Sequence, residues 1–255
     1  VYSKQEVNGI VVELPVGLGQ HVYRAGYHCV SYAAKNIDCY VDIGANVGYY
    51  IVVAAKFMKA DGIIYGFEAI KENVDVMKRN IISSGIKQDV IIENCAVSNS
   101  TKSLTFYVNN NPTKHTALKH KSKSFSRSEK KIKSVILDGC INRKVDFIKI
   151  DVEGWECQCL ESSQRIIEQY KPHIMLEFTP KRINKAKSVN WLRKFLMKHY
   201  SIFYEIDDRS NSIYKINPET LQNNYFKGRN RSNTDIFCTN SIDDLQEYFD
   251  SKIIE

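Results

Sequence analysis

Acidic residues placed at the ends of apolar runs mark the stretches of this chain that could do chemistry. The first stretch, Cys39 to Tyr50, reads C-Y-V-D-I-G-A-N-V-G-Y-Y. Strand-forming residues end in Asp42, Gly44 and Gly48 turn the chain, and an apolar run from Tyr50 to Ala55 continues as a helix. Open α/β sheets bind small molecules in the crevice outside such strand ends. The spacing departs from the dinucleotide fingerprint G-x-G-x-x-G, because Asn46 takes the middle glycine's place and Tyr49 the third's. A carboxylate at the strand end also repels phosphate. A phosphate-free, cationic ligand suits these residues better, and S-adenosyl-L-methionine, with its sulfonium and ammonium groups, is such a ligand. Glu68 closes the next apolar run, Gly62 to Phe67, at the offset where an acid grips ribose hydroxyls. Asn94-Cys95-Ala96, at the end of a third run, is either a simple strand end or a set of adenine contacts.

A second acidic group stands in V-D-F-I-K-I-D-V-E-G-W-E, Val145 to Glu156. It reads as a buried strand ending in Asp151 and Glu153, with Gly154 opening a helix. In a sheet wound outward from its first strand, the fourth strand lies beside the first. Asp151 and Glu153 are then expected to face the glycine turn, next to the methyl group of the bound ligand. Acids there serve as general bases or organise the turn and cap the helix. Asp151 and Glu153 are the catalytic candidates, with His115 as competitor. A carboxylate set of Asp151, Glu153 and Glu177 would suit Mg²⁺, but no patterned set of ligands accompanies it and no metal is assigned.

The elements needed to position these groups follow from the alternation of apolar runs. Strand 39–43, helix 48–59, strand 62–67, helix 71–84 and strand 89–94 predict a parallel sheet with helices on both faces. Further strands are expected at 103–108, 132–137, 145–150, 173–178, 202–206, 212–216 and 234–238, with a closing helix at 243–252. Residues 1–38 form an N-terminal extension of strand or hairpin and helix, whose His21, Tyr23, His28 and Tyr32 could face a substrate. Residues 39–255 form the main domain, without an internal repeat or linker. Within it, the stretch from Asn109 to Lys133 carries Lys114, Lys119, Lys121, Lys123, Arg127, Lys130, Lys131 and Lys133 against a lone Glu129. A polar loop of that length is expected to act as a mobile substrate flap. It brings His115 and His120, and its charge suits an anionic acceptor.

Composition narrows the class. A chain of 255 residues with 43% hydrophobic content can bury the core of an α/β domain, and the formal charge of +7 lies mostly in the basic stretch. Seven cysteines without a C-x-x-C pair predict buried, reduced thiols in a cytoplasmic protein. Lys56 and Lys59 interrupt the longest candidate membrane span, so no transmembrane segment is expected. The chain begins at Val1 and has no stretch resembling a signal peptide; it reads as trimmed or as part of a larger protein, such as one that assembles glycans.

Taken together, V-D-I-G-A-N-V-G at Val41 to Gly48, F-E at Phe67-Glu68, I-D-V-E-G-x-E at Ile150 to Glu156 and L-E at Leu176-Glu177 resemble the FkbM-type family of S-adenosylmethionine-dependent methyltransferases. The resemblance spans roughly Cys39 to Phe178. It implies the class I methyltransferase Rossmann-like α/β fold: a mostly parallel seven-stranded sheet with helices on both faces and an antiparallel last strand. It also implies O-methylation of sugar or polyketide hydroxyls. Carried over, Asp42, Gly44, Asn46 and Gly48 surround the methionine part of the cofactor and Glu68 holds the ribose. Tyr49, Ala69, Asn94, Cys95, Ala96 and Asp151 complete the expected cofactor contacts. Ala69 replaces the proline that usually follows F-E, and the basic stretch is no family signature. Three other readings stand beside this one. An RNA 2′-O-methyltransferase would use the basic segment for phosphates, although that segment is poor in stacking aromatics. A nicotinamide dehydrogenase is disfavoured by the missing middle glycine, and a non-catalytic module by the intact acids.

Overall fold

In the middle of the sheet, Cys39–Ile43 is buried at every position, so both faces of this strand need apolar cover. A computed structural model of the chain shows how that cover is supplied; it describes residues 2–16, 24–109, 116–118, 127–229, 231–241 and 244–254. A hairpin, β1 (Tyr2–Val7) and β2 (Ile10–Pro15), precedes α1 (Arg24–Ala33). The alternation then runs β3 (Cys39–Ile43), α2 (Tyr49–Phe57), β4 (Ile63–Phe67), α3 (Lys71–Ser83) and β5 (Asp89–Glu93). Short β6 (Ala96–Val97) leads into a ribbon of β7 (Leu104–Asn109) and β8 (Arg127–Ile132), followed by β9 (Ser134–Val135) and α4 (Leu137–Cys140). The second half contains β10 (Phe147–Ile150), α5 (Glu156–Ser162), α6 (Gln164–Tyr170), β11 (His173–Phe178), α7 (Pro180–Ala186) and α8 (Val189–His199). It closes with β12 (Ile202–Asp207), β13 (Ser212–Lys215), β14 (Thr234–Thr239) and α9 (Leu245–Ile254).

The main sheet has the order β13-β12-β14-β11-β10-β3-β4-β5. Pairing is parallel from β5 to β11 and antiparallel at β14, so the last strand runs against its neighbours as expected. The sheet holds eight strands rather than seven. The extra edge strand, β13, exists because the turn after β12 folds back through Asp207, whose carboxylate accepts the Arg209 N–H, and pairs Tyr204 with Lys215.

Period-two alternation divides the strands between two cores. Tyr40, Phe147, Met175, Phe237 and Tyr204 face the hairpin, α1, α2 and α9, whereas Val41, Ile148, Ile174, Ile236 and Phe203 face α5, α6 and α8. In the first core the Tyr40 and Phe147 rings lie 5.2 Å apart and the Phe147 and Phe237 rings 6.0 Å apart, which ties β3, β10 and β14 together. Among the described residues no helix is long and apolar enough to cross a membrane.

Two expectations change. The strand expected at 132–137 is split, because Ala96 N donates to Lys133 O and draws the chain from β7 onto β6; α4 then begins at Leu137. The C-terminal part of the expected flap, Arg127–Ile132, is a strand paired with β7 rather than loop. Residues 110–115 and 119–126 of that stretch, with His115 and His120, lie outside the described residues, as do His21 and Tyr23.

Candidate active site

The ends of β3, β4, β10, β11 and β12 and the start of antiparallel β14 meet at one edge of the sheet. On the donor side, the turn after β3 has positive φ at Gly44 (79°), Asn46 (50°) and Gly48 (81°). Gly44 is needed for closeness as well, since a Cβ there would stand 1.9 Å from the Asp151 carbonyl oxygen. The turn is therefore pressed against the end of β10. Gly44 N and Ala45 N both donate to Phe67 O, fixing it to β4.

Glu68 continues this framework. Its Oε2 accepts the Asn46 N–H at 2.9 Å and its Oε1 the Ile70 N–H at 2.8 Å. Burial pushes its carboxyl up to about 7, against the pull of these donors and of the Asn73 side chain. Asn94 spends its amide on the Glu68 and Ala69 carbonyls at 2.9 and 3.1 Å, so it secures the loop that carries the acid. Cys95 and Ala96 are buried behind it, and Ala69 is at the margin of burial. Tyr49 is buried at the start of α2 and accepts a hydrogen bond from Asn8 of the hairpin.

At the tip of the turn Asn46 Oδ1 is buried without a hydrogen-bond partner. An orphaned acceptor there fits the ammonium of a methionine moiety, and Glu68 fits ribose hydroxyls. Asp42 lies deeper, 1% exposed, with neither carboxylate oxygen in a hydrogen bond. Burial pushes it up to about 6, while Lys149, whose Nζ is 3.8 Å away, pulls it down.

The acceptor side is built by register. Lys149 stands opposite Asp42 on β10, and Asp235 stands opposite both Glu177 and Ile206. Two rungs of one face thus carry Asp42 and Lys149, then Asp151, Glu177 and Asp235. A cavity of about 560 Å³ opens above the upper rung, lined among others by Tyr50, Asp151, Glu177, Asp207, Asp208 and Asp235. Its size suits a small-molecule ligand. Burial and the charges of Asp151 and Asp208 push Asp235 up to about 8, and burial pushes Asp208 up to about 7 although it accepts the Gly26 N–H.

Of the two catalytic candidates among the described residues, Asp151 lines the cavity and Glu153 does not: the Asp151 side chain is 45% exposed and 3.5 Å from Lys149 Nζ. Glu153 turns away at φ 56°, ion-paired with Arg182 while its carbonyl accepts the Thr116 hydroxyl. Gly154 (φ 106°) prolongs this left-handed turn instead of opening a helix, and α5 starts two residues later. His115 lies outside the described residues. Glu177 contacts Arg182 at 3.4 Å and Asn233 at 3.2 Å. Among the described residues no three His, Cys, Asp or Glu side chains converge in a metal-holding group. Sequence reasoning missed Lys149, Tyr50, Asp208 and Asp235. The one signal for Lys149 was a charge inside the apolar run F-I-K-I.

The strand order and the antiparallel last strand are those of the class I methyltransferase fold. The chain belongs to the FkbM methyltransferase family, since the model of the methyltransferase FkbM domain matches residues 42–207. Its cofactor is S-adenosylmethionine. Among solved structures, methyltransferase FkbM from Methylobacillus flagellatus KT is 15% identical with a TM-score of 0.48, covering 79% of this chain and 43% of its own. The chain thus spans less than half of that protein's length. SMU.1697c from Streptococcus mutans, in complex with SAH, is 8% identical with a TM-score of 0.51, covering 86% and 97%. Precorrin-6y C5,15-methyltransferase from Geobacter metallireducens GS-15 is 12% identical with a TM-score of 0.48, covering 92% and 96%. No curated relative matches the sequence.

Proposed function

We propose that this chain is an O-methyltransferase that methylates a hydroxyl of a sugar, a glycan or a similar small natural product, with Asp151 as general base. The observation that carries the reading is the position of Asp151, where the glycine turn of the donor side abuts the cavity. Bound S-adenosylmethionine supplies a methyl carbon already activated by its sulfonium. The protein's own tasks are then to align the acceptor and to take up the hydroxyl proton. Alignment falls to the cavity walls. Proton uptake falls to Asp151, half-exposed and kept near a cation, a role worth roughly 10²–10⁴-fold in rate. Glu153, committed to Arg182, is left to shape the turn.

The lining also bears on the acceptor. Among the described residues, Asp151, Glu177, Asp207, Asp208 and Asp235 line the cavity together with Arg209. Burial holds Glu177, Asp208 and Asp235 toward their neutral forms and Arg231 pairs with Asp207, so the lining supports a neutral, polyhydroxylated acceptor rather than one recognised through phosphate. The seven unpaired cysteines support a reducing compartment, the cytoplasm. Methyl-labelled S-adenosylmethionine incubated with the chain and separate pools of neutral glycans, amino sugars and RNA tests the reading. Label on a sugar hydroxyl is expected; label on RNA alone would overturn it.

A further inference from the structure

We propose that Lys149 is a positioning residue serving both halves of the site across the seam between β3 and β10, keeping Asp42 a carboxylate on the donor side and fixing the side chain of Asp151 by an ion pair on the acceptor side. The donor half of this inference needs only the cofactor, whereas the acceptor half rests on the reading of Asp151 given above.

A lysine is almost never buried without a partner. Lys149 is 4% exposed in a strand whose other residues, Phe147, Ile148 and Ile150, are wholly buried and apolar. Its Nζ lies 3.5 Å from Asp151 Oδ2, 3.8 Å from Asp42 Oδ1 and 4.9 Å from the centre of the Tyr50 ring, whose face adds a cation–π contact. Burial opposes the ammonium, and Asp151, Asp42 and Asp235 outweigh it, so its proton is held more tightly than in water.

The groups that face it come from every element packed around it. They are Asp42 from β3, Asp151 at the end of β10, Asp235 from β14, Asp208 after β12 and Tyr50 from α2, with Tyr40 beside Asp42. Four acids thus converge on one buried cation. Asp42 depends on it most. The polar neighbours of its carboxylate are the Tyr40 hydroxyl and the Lys149 ammonium, and of the two Lys149 brings the charge that keeps an acid ionised in a dry core.

The consequence is charge discrimination. S-adenosylmethionine carries a sulfonium, whereas its demethylated product is a neutral thioether. An ionised Asp42 beneath the turn attracts the donor and is indifferent to the product's sulfur. Loss of Lys149 neutralises Asp42 and removes that preference while the uncharged adenosine contacts survive.

Calorimetry with S-adenosylmethionine and S-adenosylhomocysteine between about pH 5.5 and 8.5, on the wild type, K149M, K149R, D42N and D42N/K149M, tests this without any acceptor. In K149M, donor affinity at neutral pH is expected to fall about tenfold or more while product affinity stays within about threefold. K149R is expected to keep the preference, and D42N/K149M to behave as D42N alone. If K149M fails to fold, the double variant is expected to regain the fold, because it no longer buries an unpaired acid. Equal loss of both ligands in K149M, a K149M preference within twofold of wild type, or a double variant as unstable as K149M would each overturn the proposal. Failure to find a hydroxyl acceptor would overturn the O-methyltransferase reading and leave these measurements standing.

Discussion

The donor and acceptor halves of the site solve opposite problems with the same residue type. On the donor side Glu68 is held by backbone N–H groups from its own loop and from the turn after β3. On the acceptor side Asp151, Glu177 and Asp235 depend on side chains, and Asp235 makes neither a hydrogen bond nor a contact ion pair among the described residues. Backbone donors are fixed by the fold and cannot be exchanged by mutation, whereas side-chain partners can. Glu68 is thus set by the chain path, whereas Asp151 and Glu177 rest on replaceable side chains; Asp42, paired with Lys149, and Asp208, which accepts the Gly26 N–H, cross that division.

The comparison breaks most sharply at Asp151. The variant D151N is expected to lose roughly 10²–10⁴-fold in turnover with S-adenosylmethionine affinity nearly unchanged, read by labelled methyl transfer and calorimetry. Loss of cofactor binding in parallel would move Asp151 to the donor half. Next comes G44A, which forces a Cβ onto the Asp151 carbonyl at positive φ. It is expected to lose about 3 kcal/mol of stability in denaturant titrations and to bind cofactor poorly.

Glu68 gives a pH-dependent test of the donor half. Its folded-state value of about 7 lies above the unfolded reference of about 4.3. The native state binds this proton more tightly, so the contribution is complete below the unfolded value and is lost as pH rises through the folded one. It amounts to roughly 4 kcal/mol between those limits. Thermal melts of E68Q should show a flatter decline over that window than wild type. Wild-type cofactor affinity should also rise through about pH 7, as the carboxylate becomes free to accept ribose hydroxyls. The smallest effect is expected at Glu153. Turnover of E153Q should stay within about tenfold of wild type, with a stability loss of about 1 kcal/mol from the partly buried Arg182 pair. A loss matching D151N would make Glu153 a second base.

How far the sequence could be read follows the same division. Asp42, Gly44, Asn46, Gly48 and Glu68 lie in two short stretches whose spacing encodes a strand, a turn and a helix start, so local pattern sufficed. The antiparallel last strand and the adjacency of β10 to β3 were also readable, through the family resemblance and the winding rule. Asp235 was not readable as a site residue. Its meaning comes from lying opposite Glu177, a partner 58 positions away whose pairing depends on register rather than spacing. Lys149 was hidden for a related reason: only the pairing with Asp42 turns a charge within an apolar strand into an ion pair. The charge of the basic stretch and the acids that line the cavity point to different acceptors, because charge counted along a loop does not say which residues the fold brings to the site. Part of that stretch, Arg127–Ile132, also proved to be a strand, although R-S-E-K-K-I has a single apolar residue and no alternation to announce it; the backbone ladder with β7 holds it.

The reversed direction of β14 has one further consequence. Every other strand bordering the cavity leaves its contribution on the way out, but β14 is entered from the reactive edge, so the connector before it delivers Arg231 and Asn233 alongside Asp235. Changes of length or composition in that connector can reshape the acceptor wall while the glycine turn, on the far side of β10, keeps its geometry. A lineage could thus exchange one acceptor for another through this entrance without relearning how to hold its methyl donor.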